Sequence, residues 1–400
     1  MTLSPTTLNR LVRAADAEVR SATEGAVGLP GVVAGLTDEH QTRYLGCSGV
    51  RAAGEPEQIS TDAVLALYSV TKSLTATLAL QLADDGQLDL DAPAADYAPR
   101  LTKIGVLDGF DNDGSPHIRP PRTPATTRQL LTHTAGFGYD FFDADLAAAT
   151  RALQLPDIAT ARIEALDTPL LFDPGTRWSY GMSLDWVGLV IEGLTGRRLG
   201  TVMNERLLQP LGMRDTGFAR DEQMLARAAS IHVRTADRGL KALRRPAQPD
   251  APAMDMGGQG LYSTVGDFLR FIRMWLNEGR ADSGEQVVRA DTVRAATRNH
   301  LGDLAVTPLP GVNPRLTHDV DFFPGVGKGW SLIGMVITDD APTGRPAGSP
   351  GWAGLANLYF WIDRSNGLGG LWATQLFPFG DPAALRAALD FETAVYRALH

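Results

Sequence analysis

The stretch Ser69-Val70-Thr71-Lys72 places a hydroxyl and an amine three residues apart, at the start of a segment whose pattern predicts a helix. Residues i and i+3 share a helix face, so the Lys72 amine can reach the Ser69 hydroxyl. The free N–H groups of a first helical turn also favour a developing negative charge there. None of the other three lysines has Ser or Thr three residues before it. The spacing indicates a serine nucleophile with a lysine base.

The alternative is a serine that caps the helix and a lysine that is a solvated surface charge. The segment before Ser69 is apolar, and four leucines follow at spacings that bury most of the predicted helix before it ends at Asp84-Asp85-Gly86. Those leucines are Leu74, Leu78, Leu80 and Leu82. A buried helix argues against a solvated Lys72.

The bulk composition is that of a globular enzyme. A chain of 400 residues is long enough for two lobes, and 44% hydrophobic and 21% charged residues fit a folded protein. The net charge of -9 argues against nucleic acid as a partner. The amino-terminal segment lacks the uninterrupted apolar core of a signal peptide, and no apolar run is long enough to span a bilayer. With Cys47 as the sole cysteine, we expect a cytoplasmic location without membrane partners.

The order of elements predicts an α/β fold. Residues 31–36 and 43–50 read as a β-hairpin, residues 329–338, 354–363 and 367–375 as strands, and residues 382–399 as a final helix. The intervening region is mostly helical or irregular. We therefore expect one sheet domain from residues 1–75 and 257–400, and an inserted, mainly helical domain from residues 76–256.

A Ser-Lys pair also needs a proton carrier and an oxyanion site. Tyr180, between the turn Asp173-Pro174-Gly175 and a predicted helix, is the leading candidate for the carrier, with a core tyrosine as the alternative. The small residues in Gly351-Trp352-Ala353-Gly354-Leu355 allow the backbone to approach a ligand closely. The alternative is a strand that begins with flexible glycines and has Trp352 in the core. His133 is placed at a helix end, where we expect a structural role.

Other catalytic plans lack their signatures. The sequence contains no G-x-S-x-G elbow, no H-E-x-x-H and no cysteine cluster, and its seven histidines are scattered. We expect neither a metal site nor a cofactor.

Taken together, these motifs resemble the serine β-lactamase and penicillin-binding-protein superfamily, in particular the class C β-lactamase-like carboxylesterases called family VIII esterases. The resemblance covers nearly the whole chain. Besides the motifs around Ser69, Tyr180 and Trp352, it rests on residues 130–136, 208–213 and 257–261. It implies an antiparallel sheet flanked by helices with a helical insertion. It also implies Ser69 as the acylated nucleophile, Lys72 as base, Tyr180 as proton shuttle, and the backbone N–H groups of Ser69 and Leu355 as oxyanion hole.

Two departures from the class C pattern bear on the substrate. Tyr180 is followed by Gly181 and Met182 where a small residue and an asparagine are expected, so the side-chain hydrogen bond to a substrate amide is lost. Trp352-Ala353-Gly354 replaces Lys-Thr-Gly, which removes the cation expected to bind a lactam carboxylate. A site altered in this way favours neutral, apolar esters.

These features make a carboxylesterase for short-acyl esters, acting through an acyl-Ser69 intermediate, the leading hypothesis. We expect a small-molecule ester to contact Trp352, Gly354, Phe137, Tyr139 and Met182, although the aromatic residues also suit an ordinary core cluster. Residues 357–364 and 375–381 resemble acyltransferases that acylate polyketide alcohols, so acyl transfer is the first alternative. A β-lactamase or D-alanyl peptidase is the second, and a non-catalytic ligand-binding member is the third. The oligomeric state is left open.

Overall fold

The computed structural model describes residues 4–24, 28–235, 239–243, 249 and 252–400. The helices are α1 (Pro5–Ser21), α2 (Thr71–Asp84), α3 (Thr127–Leu131), α4 (Ala144–Ala152), α5 (Ser183–Thr195), α6 (Leu199–Met203), α7 (Gln209–Leu211), α8 (Glu222–Ala226), α9 (Val265–Leu276), α10 (Ala290–Ala296) and α11 (Pro382–Leu399). A π-helical segment, Asn204–Leu208, joins α6 to α7. The strands are β1 (Gly31–Asp38), β2 (Thr42–Gly49), β3 (Leu65–Ala66), β4 (Val106–Phe110), β5 (Pro116–Arg119), β6 (His232–Arg234), β7 (Leu240–Ala242), β8 (Tyr262–Ser263), β9 (Lys328–Trp330), β10 (Met335–Ile337), β11 (Pro350–Gly354), β12 (Leu358–Asp363), β13 (Leu368–Ala373) and β14 (Leu376–Phe377).

The main sheet is antiparallel and has the strand order β2-β1-β13-β12-β11-β10-β9. The amino-terminal hairpin pairs directly with a carboxyl-terminal strand, with Gly35 opposite Leu371. This confirms the predicted α/β fold and the prediction that both ends of the chain build one sheet. It also brings β11 into the middle of the carboxyl-terminal half of the sheet.

Helices cover both faces of the main sheet because its strands are apolar on both sides. Val32 and Ala34 of β1 belong to the core beneath α1 and α11, whereas Val33 belongs to the core on the opposite face. Helix α9 packs on that second face, where Phe268 meets Phe360 of β12 with ring centroids 5.1 Å apart. The alternation follows the two-residue period of a strand.

Two predicted strands are wrong in their bounds. Residues 329–338 do not form one strand, because the chain reverses between β9 and β10. The Ser331 hydroxyl accepts the N–H groups of Ile333 and Gly334 and so closes this reversal. Residues 354–363 likewise include a turn, in which Asn357 has a φ of 62° and its side-chain amide donates to the carbonyl oxygens of Leu376 and Pro378. Asparagine tolerates this left-handed conformation, which allows the chain to turn between β11 and β12. Leu355 therefore lies in this turn and not in a strand.

The region between residues 76 and 256 contains helices and irregular segments, as expected, but also strands that the sequence analysis missed. Strands β4 and β5 form a hairpin, and β6 pairs with both β7 and β14. The boundaries at residues 75 and 256 stay a prediction. Within the described ranges, no helix combines the length and apolar composition needed to cross a lipid bilayer.

Candidate functional site

Ser69 lies in a single 3-10 turn, Tyr68–Val70, that leads directly into α2. Tyr68, just before it, has a φ of 48°, a conformation that costs a non-glycine residue about 1–3 kcal/mol. The surrounding structure holds this turn in place. The side chain of Gln375 pairs with both backbone groups of Ala66, and the Leu67 N–H donates to Leu261. Ser69 therefore lies in a turn that these hydrogen bonds hold in place, at the start of a buried helix.

Lys72 points from the first turn of α2 back to Ser69. Its Nζ lies 3.0 Å from Ser69 Oγ, 2.9 Å from the Tyr139 hydroxyl and 2.8 Å from the Gly258 carbonyl oxygen. The residue is only 3% exposed, which rules out the solvated lysine of the alternative interpretation. Burial lowers the pKa of Lys72 to about 7, against the raising effect of Asp185. Burial thus favours the neutral amine, which is the form that can accept a proton.

Tyr180 lies in the loop before α5 and is buried beside the serine. Its hydroxyl oxygen accepts a hydrogen bond from Trp352 Nε1 at 2.8 Å, and its ring centroid is 4.9 Å from Lys72 Nζ. Burial raises the pKa of Tyr180, while hydrogen bonds with Ser69 and Trp352 lower it. The phenol therefore stays protonated at neutral pH and is placed to relay a proton at Ser69.

Tyr139 contacts the lysine itself, a role that sequence reasoning did not assign. Besides its hydrogen bond with Lys72, its ring stacks on Phe141 with centroids 4.7 Å apart and meets Tyr180 edge-on at 5.7 Å. Burial raises the pKa of Tyr139 well above its usual range. The sequence contains one signal for this position. Tyr139 ends the glycine-rich run 136–139, where the backbone can turn back toward the lysine.

His133 bonds to the backbone as an acceptor of an N–H group, not as the expected donor to helix carbonyl groups, and its Nε2 has no hydrogen-bond partner among the described residues. It is fully buried, and its Nδ1 accepts the Gly181 N–H at 3.4 Å while its carbonyl accepts the Ser179 N–H at 2.9 Å. Burial, and then the Lys72 charge, hold the pKa of His133 well below its usual range. A neutral histidine therefore positions the loop that carries Tyr180.

Strand β11 forms the wall opposite Tyr180. Gly354 is required there because a Cβ at this position would lie 2.4 Å from the Leu67 carbonyl oxygen. This close approach sets Leu355 beside Ser69 in the lining of one small cavity. The N–H groups of Ser69 and Leu355, the predicted oxyanion hole, thus belong to two segments that meet at the nucleophile.

The small cavity at Ser69 has a volume of about 20 Å³. It is lined by Tyr68, Ser69, Tyr139, Phe141, Phe142, Tyr180, Gln259, Trp352, Ala353, Leu355 and Phe379. A second, large cavity of about 560 Å³ shares Tyr139, Phe142 and Tyr180 with it and extends to Arg177, Trp178 and residues 303–305 and 307–310. Tyr139, Phe142 and Tyr180 therefore lie between a narrow aromatic space that reaches Ser69 and a wider one.

Two of the predicted substrate-binding residues are placed elsewhere. Phe137 stacks on Trp186 with ring centroids 5.5 Å apart, and Met182 Sδ accepts a hydrogen bond from Thr168. Neither lines the small or the large cavity. Trp352 and Tyr139 do line the small cavity, whereas Gly354 acts through the close approach of its strand.

Comparisons with known proteins show the family to which the chain belongs. The family model described as "Beta-lactamase" matches residues 8–395. The lovastatin esterase of Penicillium rubens is 33% identical over 337 residues, 81% of this chain and 82% of that protein. The monacolin J acid methylbutanoyltransferase of Aspergillus terreus is 29% identical over 92% of each chain. A solved structure of simvastatin synthase (LovD) from Aspergillus terreus superposes with a TM-score of 0.81, at 28% identity, over 96% of this chain and 98% of that one.

These matches confirm the resemblance to class C β-lactamase-like serine enzymes that the sequence motifs indicated. They also show that esterases and acyltransferases occur among the relatives. This chain therefore belongs to the beta-lactamase family, within its group of serine hydrolases and acyltransferases.

Proposed function

We propose that this chain is a serine carboxylesterase that cleaves short-acyl esters through an acyl-Ser69 intermediate. The observation that carries the proposal is the buried Lys72 amine, 3.0 Å from Ser69 Oγ and with its pKa lowered to about 7. A neutral amine at that distance accepts the serine proton as the oxygen attacks the ester carbonyl. Tyr180 then delivers a proton to the departing alcohol, and water cleaves the acyl-enzyme.

The two cavities divide the substrate between them. Ser69 and Leu355, which the acyl carbonyl must contact, line only the small cavity. Tyr180, which must reach the leaving oxygen, borders both cavities, so the alcohol part lies in the large one. The acyl part then enters the small cavity, where Phe141, Phe142 and Phe379 leave little free volume. Short acyl groups are therefore favoured over long or branched ones. The indole of Trp352 at this wall suits an uncharged ester better than the carboxylate of a lactam.

Intact-protein mass spectrometry after brief exposure to p-nitrophenyl butyrate tests the proposal. We expect a butyryl adduct and nitrophenol release from the native protein, and neither from Ser69→Ala. The matched control is Ser73→Ala, one turn further along α2, whose hydroxyl donates to the Ile333 carbonyl rather than to a reactive group. Equal turnover by Ser69→Ala and native protein would refute the acyl-serine mechanism.

Acyl transfer is the second candidate, because the large cavity that would hold a leaving alcohol would equally hold an accepting one. Transfer and hydrolysis share the acylation half-reaction and differ in what attacks the acyl-enzyme. Product analysis with butyryl donor and added 2-phenylethanol separates the two. An excess of phenylethyl butyrate over free butyrate would make the chain a transferase, whereas free butyrate as main product supports the esterase.

A further inference from the structure

Asp185 is a fully buried carboxyl group in the first turn of α5 that has no part in the acyl-transfer steps described above. Its Oδ1 accepts the Gly258 N–H at 2.8 Å. Its Oδ2 is buried and has no hydrogen-bond partner among the described residues. A carboxylate held in this way is costly unless a nearby positive charge offsets it.

The ammonium form of Lys72 can supply that positive charge, and Gly258 joins the two groups. The Gly258 carbonyl oxygen accepts from Lys72 Nζ at 2.8 Å, while the N–H of the same residue donates to Asp185. Only glycine fits between them, because a Cβ on Gly258 would lie 2.3 Å from Asp185 Oδ2. The carboxyl group thus packs against the backbone that positions the amine.

The groups around this pair are neutral. Tyr139 and His133, from the segment after α3, and Tyr180, from the loop before α5, face the lysine. Burial raises the pKa of both tyrosines and lowers that of the histidine. For Asp185, burial raises the pKa, and the positive charge of Lys72 counteracts that rise. The net shift of the Asp185 pKa is upward, to about 6, yet among these groups Asp185 is the one that ionises to an anion near neutral pH.

We propose that Asp185 is a positioning residue and the buried counter-charge of Lys72, stabilising the ammonium form that arises during acylation. The inference rests on the proposed function. As the Ser69 Oγ–C bond forms, the Oγ–H proton passes to Lys72. The ester C–O bond then breaks, the departing oxygen takes a proton from Tyr180, and Lys72 restores that proton to the phenol. Asp185 exchanges no proton, but its charge offsets the transient ammonium.

Asp185→Asn tests this directly, since the amide oxygen still accepts the Gly258 N–H while the charge is gone. The matched control is Glu192→Gln on the same helix, where the carboxylate accepts the Leu199 N–H at 2.8 Å. With four lysines in the chain, NMR of protein labelled with [ε-¹³C]lysine reads the Lys72 titration, assigned by its loss in Lys72→Ala. We expect the Lys72 midpoint to fall by about one to two pH units in Asp185→Asn and to stay in place in Glu192→Gln.

The pH profile of p-nitrophenyl butyrate hydrolysis gives the functional readout. The acid limb of kcat/KM should move to lower pH in Asp185→Asn by the same shift as the NMR midpoint, and kcat on the plateau should fall about tenfold as the ammonium loses its counter-charge. If Asp185 had only a structural role, Asp185→Asn would lower kcat on the plateau and leave the acid limb of kcat/KM at the same pH.

Each outcome decides between the two proposals. An unchanged or raised Lys72 midpoint in Asp185→Asn overturns the counter-charge role. A lowered midpoint without any ester turnover by native protein supports the counter-charge and refutes the esterase. Asp185→Ser is a second neutral variant that keeps an oxygen near Gly258. If it and Asp185→Asn both fail to fold while Glu192→Gln folds, the carboxylate is structural and the inference is wrong.

Discussion

The indole Nε1 of Trp352 donates a hydrogen bond of 2.8 Å to the hydroxyl oxygen of Tyr180, and the two ring centroids are 4.7 Å apart. The contact joins β11 of the main sheet to the loop before α5. An N–H donated to a phenol oxygen stabilises its phenolate form, so this bond counteracts the rise that burial causes in the pKa of Tyr180. Trp352 therefore adjusts the acidity of the proposed proton shuttle as well as shaping the cavity.

Trp352→Phe keeps an aromatic ring at this position and removes the donor. We expect kcat to fall about tenfold, because loss of one hydrogen bond raises the activation free energy by about 1–1.5 kcal/mol. Steady-state kinetics with ethyl butyrate, whose alcohol needs a proton as its bond breaks, and the thermal unfolding midpoint measure the two effects separately. Trp372→Phe, a buried tryptophan in the core beneath α1 and α11, is the control for ring size. If Trp352→Phe lowers the unfolding midpoint and leaves kcat unchanged, the role of Trp352 is core packing.

Tyr180→Phe distinguishes proton donation from packing through the leaving group. Nitrophenol departs as a stable anion, whereas ethanol needs a proton as its bond breaks. We expect the variant to lose about 10²–10⁴-fold in kcat/KM with ethyl butyrate, and much less with p-nitrophenyl butyrate. Equal losses with both esters would contradict a shuttle role in leaving-group departure.

The pH profile of the native protein follows from Lys72. Burial lowers the pKa of Lys72 to about 7, so the amine is protonated and inactive below this pH and neutral above it. We expect kcat/KM to rise with pH through about 7 and then level off, since the pKa of Tyr180 is raised and its phenol keeps its proton. Hydrolysis rates between pH 5 and 9 test this. Lys72→Arg, which keeps the positive charge but has no neutral form in this range, should be inactive throughout, and a flat native profile would exclude Lys72 as the base.

Gly354→Ala tests the close approach of β11 to the nucleophile turn. The added methyl group would lie 2.4 Å from the Leu67 carbonyl oxygen, so the strand must shift. We expect a destabilisation of about 1–3 kcal/mol in denaturant unfolding and a lower rate of Ser69 acylation. Gly266→Ala in α9 is the control, because its nearest atom would be 3.8 Å away. If Gly354→Ala is acylated at the native rate, the close approach that places Leu355 beside Ser69 does not contribute to catalysis.

Sequence patterns were sufficient for the features set by local spacing. The Ser69 and Lys72 pair, the hairpin of β1 and β2, and helix α11 follow from periodicity and short turns. The strand bounds near Ser331 and Asn357 were missed because their side chains stabilise reversals through hydrogen bonds that no periodicity signals.

The contacts around the lysine depend on tertiary structure and could not be predicted in this way. Tyr139 lies 67 positions from Lys72 in the sequence, and Gly258 lies 186 positions away. Asp185 reads as an ordinary charge in the first turn of a helix, and only its burial against Gly258 distinguishes it. A motif search finds the proposed nucleophile and its base, but the environment that sets the basicity of Lys72 comes from segments that meet only in the folded chain.

The pairing of the two chain ends in one sheet has a kinetic consequence. Thr374 bonds to Gly31 across 343 positions of sequence, and Gln375 braces the backbone at Ala66 ahead of Ser69. Contacts of such long range require a large loop to close, which slows folding. During synthesis, the nucleophile turn emerges long before the strands that complete it. The proposed nucleophile can therefore react only after these strands have formed, so its reaction with an ester would mark a chain that has finished folding.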